Sequence, residues 1–228
     1  MKASEIASKL DHSTLQPFLI KKDIIEGCEI AKKWHCATVC SRPEDMKLVS
    51  QLLKGSGVKP CTVIGFPHGT NLPEVKFFET EKAIEDGCEE LDMVINFGKL
   101  LEGDLDYVRN EIKLLADACH SKGAILKVII ETCYLDDEQK KTACRLSEEA
   151  GADFVKTSTG YGKSGCNAAD LRLMRETVGN RLSVKGSGGI RTLDAALEYI
   201  AAGADRLGVS ATEAIMEEAV KRENAGIL

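Results

Sequence analysis

Five prolines in 228 residues, no Ser/Gly-rich tract and no run of like charges leave no room for a disordered linker. Nowhere do about 18 apolar residues run together, so no membrane span is expected. The opening residues, Met1-Lys2-Ala3-Ser4-Glu5-Ile6, lack the apolar core of a signal peptide and carry an acid early, as in a soluble cytoplasmic protein. Neither sign of charge dominates: 30 Lys+Arg against 36 Asp+Glu give a net charge of −6. A mildly acidic, mixed surface argues against nucleic acid or an anionic membrane as the main partner, and leaves a local basic pocket open. The 9 cysteines include no C-x-x-C pair. They sit in apolar runs such as Cys61-Thr62-Val63-Ile64 or on predicted helices, so reduced core thiols are the plain reading, with a reactive Cys40 as the alternative. The 4 histidines show neither H-x-x-H nor H-E-x-x-H spacing, and no metal site is expected.

What is present is a regular alternation. Short apolar runs predict strands at Lys9–Ser13, Ala37–Cys40, Cys61–Gly65, Leu91–Asn96, Leu126–Glu131, Phe154–Ser158, Leu182–Lys185 and Arg206–Val209. Helical patterns lie between them: Asp23–Trp34, Glu44–Lys54, Glu74–Asp86, Asp106–Lys122, Asp137–Ala150, Ala168–Val178, Leu193–Ala202 and Thr212–Glu223. A further helix, Lys2–Ser8, precedes the first strand. Eight strands each followed by a helix is the count of a closed (β/α)8 TIM barrel, here one α/β domain over residues 1–228. An open doubly wound sheet shows the same alternation but usually with fewer units. Ala150-Gly151-Ala152-Asp153 and Ala202-Gly203-Ala204-Asp205 form a weak repeat in which glycine ends a helix just before a strand. Asp136 with Gln139, and Ser210 with Glu213, have capping-box spacing.

Period-two alternation then sorts the strand residues by face. In the fourth strand Leu91, Met93 and Ile95 form the helix-facing set, which sends Asp92, Val94 and Asn96 inward. The same rule sends Lys127 and Glu131, Lys156 and Ser158, and Lys185 inward, with Asp11 as a further candidate. Buried charge is costly unless paired, and compensating ion pairs, Lys127 with Glu131 or Asp11, are the plain reading of part of this set. They account poorly for three lysines together, because arginine serves a static buried pair better. Lys156 and Lys185 fall on adjacent strands near the C-terminal ends, where barrel active sites lie. A neighbouring ammonium and a partly dry pocket both disfavour a protonated lysine, so one amine of such a pair can form a Schiff base with a carbonyl. Asp92 could then relay protons, directly or through water. Thr157-Ser158-Thr159-Gly160, Gly186-Ser187-Gly188-Gly189 and Gly208-Val209-Ser210 follow the last three strands. Their backbone N–H groups suit a phosphate, with Gly160, Gly188, Gly189, Gly208 and Ser210 as its candidate contacts. For Ser210 taken alone a simple helix cap is the plain reading.

At these residues the sequence resembles the deoxyribose-phosphate aldolases, a class I (Schiff-base) aldolase family. The matching stretches are Leu10-Asp11-His12-Ser13-Thr14, Cys61 to Pro67, Glu90 to Asn96, and Leu126 to Thr132. Two more are the most specific: Phe154 to Gly160, and Val184-Lys185-Gly186-Ser187-Gly188-Gly189-Ile190-Arg191. The resemblance implies Lys156 as the Schiff-base lysine, Lys185 as the lysine that lowers its pKa and Asp92 as the proton-relay carboxylate, with Lys127 and Asp11 in support. It implies reversible cleavage of 2-deoxy-D-ribose 5-phosphate to D-glyceraldehyde 3-phosphate and acetaldehyde, no metal or organic cofactor, and a homo-oligomer, dimer or tetramer. Three features depart from the family pattern. Gly186 stands where alanine is more usual, which is expected to loosen the loop. Tyr161-Gly162-Lys163-Ser164-Gly165 lies where members vary, so Lys163 takes no role. The chain ends Ala225-Gly226-Ile227-Leu228, without the terminal tyrosine of longer members.

Three other readings share parts of this pattern. A pyridoxal-phosphate barrel also needs a lysine and a phosphate cradle, and a phosphosugar isomerase needs the cradle but no covalent lysine. A non-catalytic phosphosugar-binding barrel would bind without turnover, and gives no reason for Lys156 beside Lys185.

Overall fold

The computed structural model describes residues 1–228. Eight parallel strands are hydrogen-bonded in chain order and close on themselves: β1 (Leu10–Thr14), β2 (Thr38–Ser41), β3 (Lys59–Ile64), β4 (Glu90–Val94), β5 (Ile125–Ile129), β6 (Phe154–Lys156), β7 (Ser183–Ser187) and β8 (Arg206–Val209). Around them lie α1 (Ala3–Ala7), α2 (Lys21–Trp34), α3 (Met46–Leu53), α4 (Pro73–Glu85), α5 (Phe97–Glu102), α6 (Leu105–His120), α7 (Asp137–Glu149), α8 (Ala168–Val178), α9 (Leu193–Ala201) and α10 (Thr212–Asn224). This is the TIM barrel the alternation predicts, with the extra N-terminal helix α1 packed on α10.

The helix-facing set of β4 behaves as the period-two rule requires. Leu91, Met93 and Ile95 are fully buried in the main apolar core, together with Leu126 and Val128 of β5 and Ile112 and Leu115 of α6. A second, small apolar cluster of Cys40, Cys61 and Val63 is separate from this core, with Leu15 and Phe66 packed against it. Gly151 and Gly203 both have positive φ, 84° and 110°, as the repeat before β6 and β8 predicts.

Local expectation and structure part in three places. Between β4 and β5 the chain makes two helices where the pattern shows one. Asn96 caps α5 by accepting from the Lys99 N–H at 3.1 Å, Gly103 ends it in the left-handed region, and Asp104 caps α6. The predicted sixth strand stops at Lys156 rather than Ser158. The capping box at Asp136 and Gln139 forms, with reciprocal bonds of 2.9 Å, but the one at Ser210 and Glu213 does not. There α10 starts at Thr212 without a side-chain cap, and Glu213 pairs instead with Lys33 at 3.0 Å.

One ion pair outside the barrel fixes the end of β4. Lys76 of α4 and Glu111 of α6 are fully enclosed and meet at 2.7 Å. Lys76 Nζ also donates to the Val94 carbonyl at 2.8 Å, and Glu111 Oε1 accepts the Asn96 N–H at 2.6 Å. Burial pushes Lys76 down and Glu111 up from their ordinary pKa values despite their mutual attraction. The pair therefore adds little net stability as an ion pair, and its effect is geometric: two helices grip the backbone just beyond Asp92. Lys76→Met strands a buried carboxylate and is expected to lower the unfolding free energy by about 3–5 kcal/mol, read from urea denaturation at pH 7.

Candidate active site

Strand register places the charges. Lys156 and Lys185 are direct partners across β6 and β7, as Asp92 and Lys127 are across β4 and β5. The ammonium groups converge on Asp92 inside the barrel. Its Oδ1 accepts from Lys127 Nζ at 2.8 Å, and its Oδ2 accepts from Lys156 Nζ at 2.6 Å and Lys185 Nζ at 2.7 Å. Asp11 closes the network by pairing with Lys185 and, at 2.5 Å, with Arg206. Glu90 pairs with Lys127 at 2.8 Å and with Arg206 at 3.2 Å. Four cations thus face three carboxylates.

Desolvation opposes the charges of Asp11, Asp92, Lys127, Lys185 and Arg206, and opposite charges overcome it. Burial alone would raise Asp92, but the three lysines hold it well below the usual carboxylate range. Asp11 is likewise held low by Lys185, Lys127 and Arg206 against burial. Burial would lower Lys185 and Lys127, but Asp11 and Asp92 hold the first above its ordinary value, and Asp92 and Glu90 hold the second there. Lys156 differs in geometry: Asp92 is its one ion-pair partner, and it lines the cleft at the C-terminal ends of the strands.

The same cleft is lined by Asp11, Lys185, Gly160, Gly188, Gly189, Gly208 and Ser210, all singled out by sequence. Lys127 lies behind it, fully enclosed. Cys40, Cys61 and Asp92 have potential ligand atoms within 4.8 Å of one another, but the Asp92 oxygens already hold three ammonium groups, so the triad is unsuited to a cation.

Residues 5–218 match the model of the DeoC/LacD family of aldolases. The chain belongs to this family. It is 50% identical over 225 residues to the deoxyribose-phosphate aldolase of Thermococcus gammatolerans, a match covering 98% of this chain and 100% of that one. Among solved structures, the aldolase QR15 superposes with a TM-score of 0.92 at 40% identity, over 96% of this chain and 98% of that one. The tetrameric deoxyribose phosphate aldolase of Aeropyrum pernix superposes at 0.89 with 32% identity, over 95% of this chain and 92% of that one.

Within this DeoC/LacD aldolase, two glycine loops build one wall of the cleft by touching without side chains. A Cβ on Gly165 would stand 2.1 Å from the Gly188 carbonyl oxygen, and the Cys166 N–H reaches the Ser187 carbonyl at 2.9 Å. Gly186 lies within β7 rather than on a loop, and its missing methyl loosens nothing there. A Cβ there would lie 2.9 Å from Cys166 Sγ, so the cysteine fills the space an alanine would take.

One expected pairing fails in the aldolase. Glu131 does not meet Lys127. The strand ends at Ile129 and Glu131 has φ 53°, so the alternation that sent it inward no longer applies. Its carboxylate receives the Thr159 N–H at 3.3 Å and the Thr159 hydroxyl. Sequence reasoning also missed Glu90 and Arg206. Glu90 shares the inward face of Asp92 by period two, but the predicted strand began one residue too late to show it. Arg191, Ser187, Ser13, Thr159 and Tyr161 line the cleft as well, and exposed Arg191 adds a cation beside Gly188 and Gly189.

Removing the central carboxylate tests the network. Asp92→Asn leaves three crowded ammonium groups and is expected to cost about 3–5 kcal/mol of unfolding free energy at pH 7. The folded pKa of Asp92 lies below its unfolded value near 3.9, so its contribution is complete above about pH 5 and is lost as pH falls toward the folded pKa. The gap between wild type and variant should narrow by about 1 kcal/mol at pH 3, measured by urea titration at the two pH values.

Proposed function

We propose that this aldolase reversibly cleaves 2-deoxy-D-ribose 5-phosphate into D-glyceraldehyde 3-phosphate and acetaldehyde through a Schiff base on Lys156. The observation that carries the reading is the three-lysine cluster on Asp92, in which Lys156 alone combines a single carboxylate partner with a place in the cleft. An attacking amine has to shed its proton, and Lys156 is the lysine of the cluster with the fewest carboxylates holding it. Lys185, gripped by Asp11 and Asp92, stays charged beside it.

In this mechanism Lys156 Nζ attacks the C1 aldehyde of the open-chain sugar, and loss of water gives an iminium. Removal of the C3 hydroxyl proton breaks C2–C3, and the iminium takes up the electron pair as an enamine. Glyceraldehyde 3-phosphate leaves; protonation at C2 and hydrolysis then release acetaldehyde and regenerate the amine. Asp92 accepts from Lys156 Nζ at 2.6 Å, so it orients the amine, stabilises the iminium and serves as the proton-relay carboxylate. The C3 hydroxyl proton passes through water to Asp92, and a proton returns to C2 by the same route. Nothing in these steps calls for a metal ion or an organic cofactor.

The substrate phosphate would sit on the backbone N–H groups around Gly160, Gly188, Gly189, Gly208 and Ser210, with Arg191 as a charged contact. This reading carries with it a cytoplasmic role in deoxynucleoside breakdown and a homo-oligomeric state. Exposed Phe18, Ile20, Leu72 and Phe78 give apolar surface for association. Light scattering should return a dimer or tetramer mass, and a monomer would sink that part.

Borohydride reduction in the presence of acetaldehyde, followed by peptide mass mapping, should place an ethyl adduct on Lys156. An adduct on Lys185 would exchange the two roles, and no site-selective adduct would remove the Schiff base altogether. Lys156→Leu should abolish both trapping and turnover. Lys185→Leu should lower kcat/KM at least about a hundredfold, a loss of roughly 2.7 kcal/mol of transition-state stabilisation.

A further inference from the structure

We infer that Glu131 is a positioning residue for the phosphate side of the site, acting by holding the Thr159–Tyr161 segment that brings Gly160 to the cleft. The inference rests on the phosphosugar reading above. Glu131 is 1% exposed and one of two non-glycine residues with positive φ. Its carboxylate oxygens contact Thr159 and Cys133 rather than a cation. Glu131 forms no ion pair, and burial pushes its carboxyl up although the Thr159 bonds and the more distant Lys156 charge oppose that. Such burial is expensive, and so is a left-handed backbone at a residue with a side chain. Both persist where the surroundings fix them for a purpose, and here the surroundings are one loop.

That loop is tied to Glu131 at successive points. The Thr159 N–H lies 3.3 Å from each carboxylate oxygen, and its hydroxyl donates to Oε2. The same hydroxyl oxygen accepts the Tyr161 N–H at 3.0 Å. Gly162 is pressed against the carboxylate: a Cβ there would stand 3.2 Å from Oε1 and 2.7 Å from Cys133 Sγ. At the far end the Tyr161 hydroxyl donates to the Leu15 carbonyl at 3.0 Å, and its ring meets Phe66 edge-on with centroids 5.3 Å apart. A continuous set of contacts therefore runs from the end of β5 to the loops after β1 and β3, with Gly160 between its two anchors. Charge-assisted bonds are about twice as strong as neutral ones, which is what a carboxylate adds over an amide at the root. Release of that root moves the Gly160 N–H and leaves the lysine cluster in place.

The test compares 2-deoxyribose 5-phosphate with 2-deoxyribose. Glu131→Asn tolerates the left-handed backbone but cannot reach Thr159. It should raise KM for the phosphorylated sugar about tenfold, keep kcat within about threefold, and leave kcat/KM for the unphosphorylated sugar unchanged. Thr159→Val cuts the same contact from the other side and should raise KM for the phosphorylated sugar alike, with the double variant no worse than either single one. Equal losses on both sugars, an unchanged KM, or multiplying effects in the double variant would overturn the inference. A wild-type enzyme with the same KM for both sugars would overturn the phosphate reading first, and the inference with it.

Discussion

Asp92 accepts hydrogen bonds from three lysine ammonium groups at 2.6 to 2.8 Å, and the rest of the barrel interior is arranged to make that arrangement tolerable. A carboxylate in a dry interior attracts cations strongly, but three of them repel one another. Asp11 and Glu90 divide the excess, and Arg206 links those two across the bottom of the cluster. Each lysine is thereby given a different number of partners. Lys127 and Lys185 touch several carboxylates and Lys156 touches one, so chemically identical side chains are set to different tasks by coordination alone.

The backbone cooperates with this division. Short β6 ends on Lys156 itself. The next residue, Thr157, is still tied to both sides, donating its N–H to the Lys185 carbonyl at 3.0 Å and accepting the Thr132 N–H at 2.9 Å, before the chain turns into the glycine loop. Two strands away, Lys76 and Glu111 clamp the chain just after β4 from outside the barrel. Lys156 thus ends its strand, and Asp92 lies two residues before the clamped end of its own.

Much of this was legible in the sequence, because two periodicities are strong. The alternation of strand and helix gave the barrel, and period two within strands put Asp92, Lys127, Lys156 and Lys185 on one inner surface. Where the reading went wrong, a strand ended earlier or began earlier than its hydrophobic run. Apolar Ile130 after Ile129 suggests a longer strand that would turn Glu131 toward Lys127, while the backbone has already left the sheet. Glu90 escaped notice because a charged first residue looks like part of the preceding turn. α5 was missed because six residues are too few for a helical period to register, although Asn96 and Gly103 mark both of its ends. Ser210 was read as a cap from spacing, which carries no information on where the backbone starts to coil.

Gly186 and Cys166 have a consequence for how such a site can change over generations. Their complementary fit makes the order of replacements matter. Alanine at 186 arriving first meets a sulfur 2.9 Å from its new methyl, next to the strand that carries Lys185. A smaller residue at 166 arriving first leaves only a small void, which a later methyl at 186 would fill. Two neighbouring positions, one on β7 and one on the loop before α8, are therefore linked in history as well as in space, and one of the two routes between the glycine and alanine forms is steeper than the other.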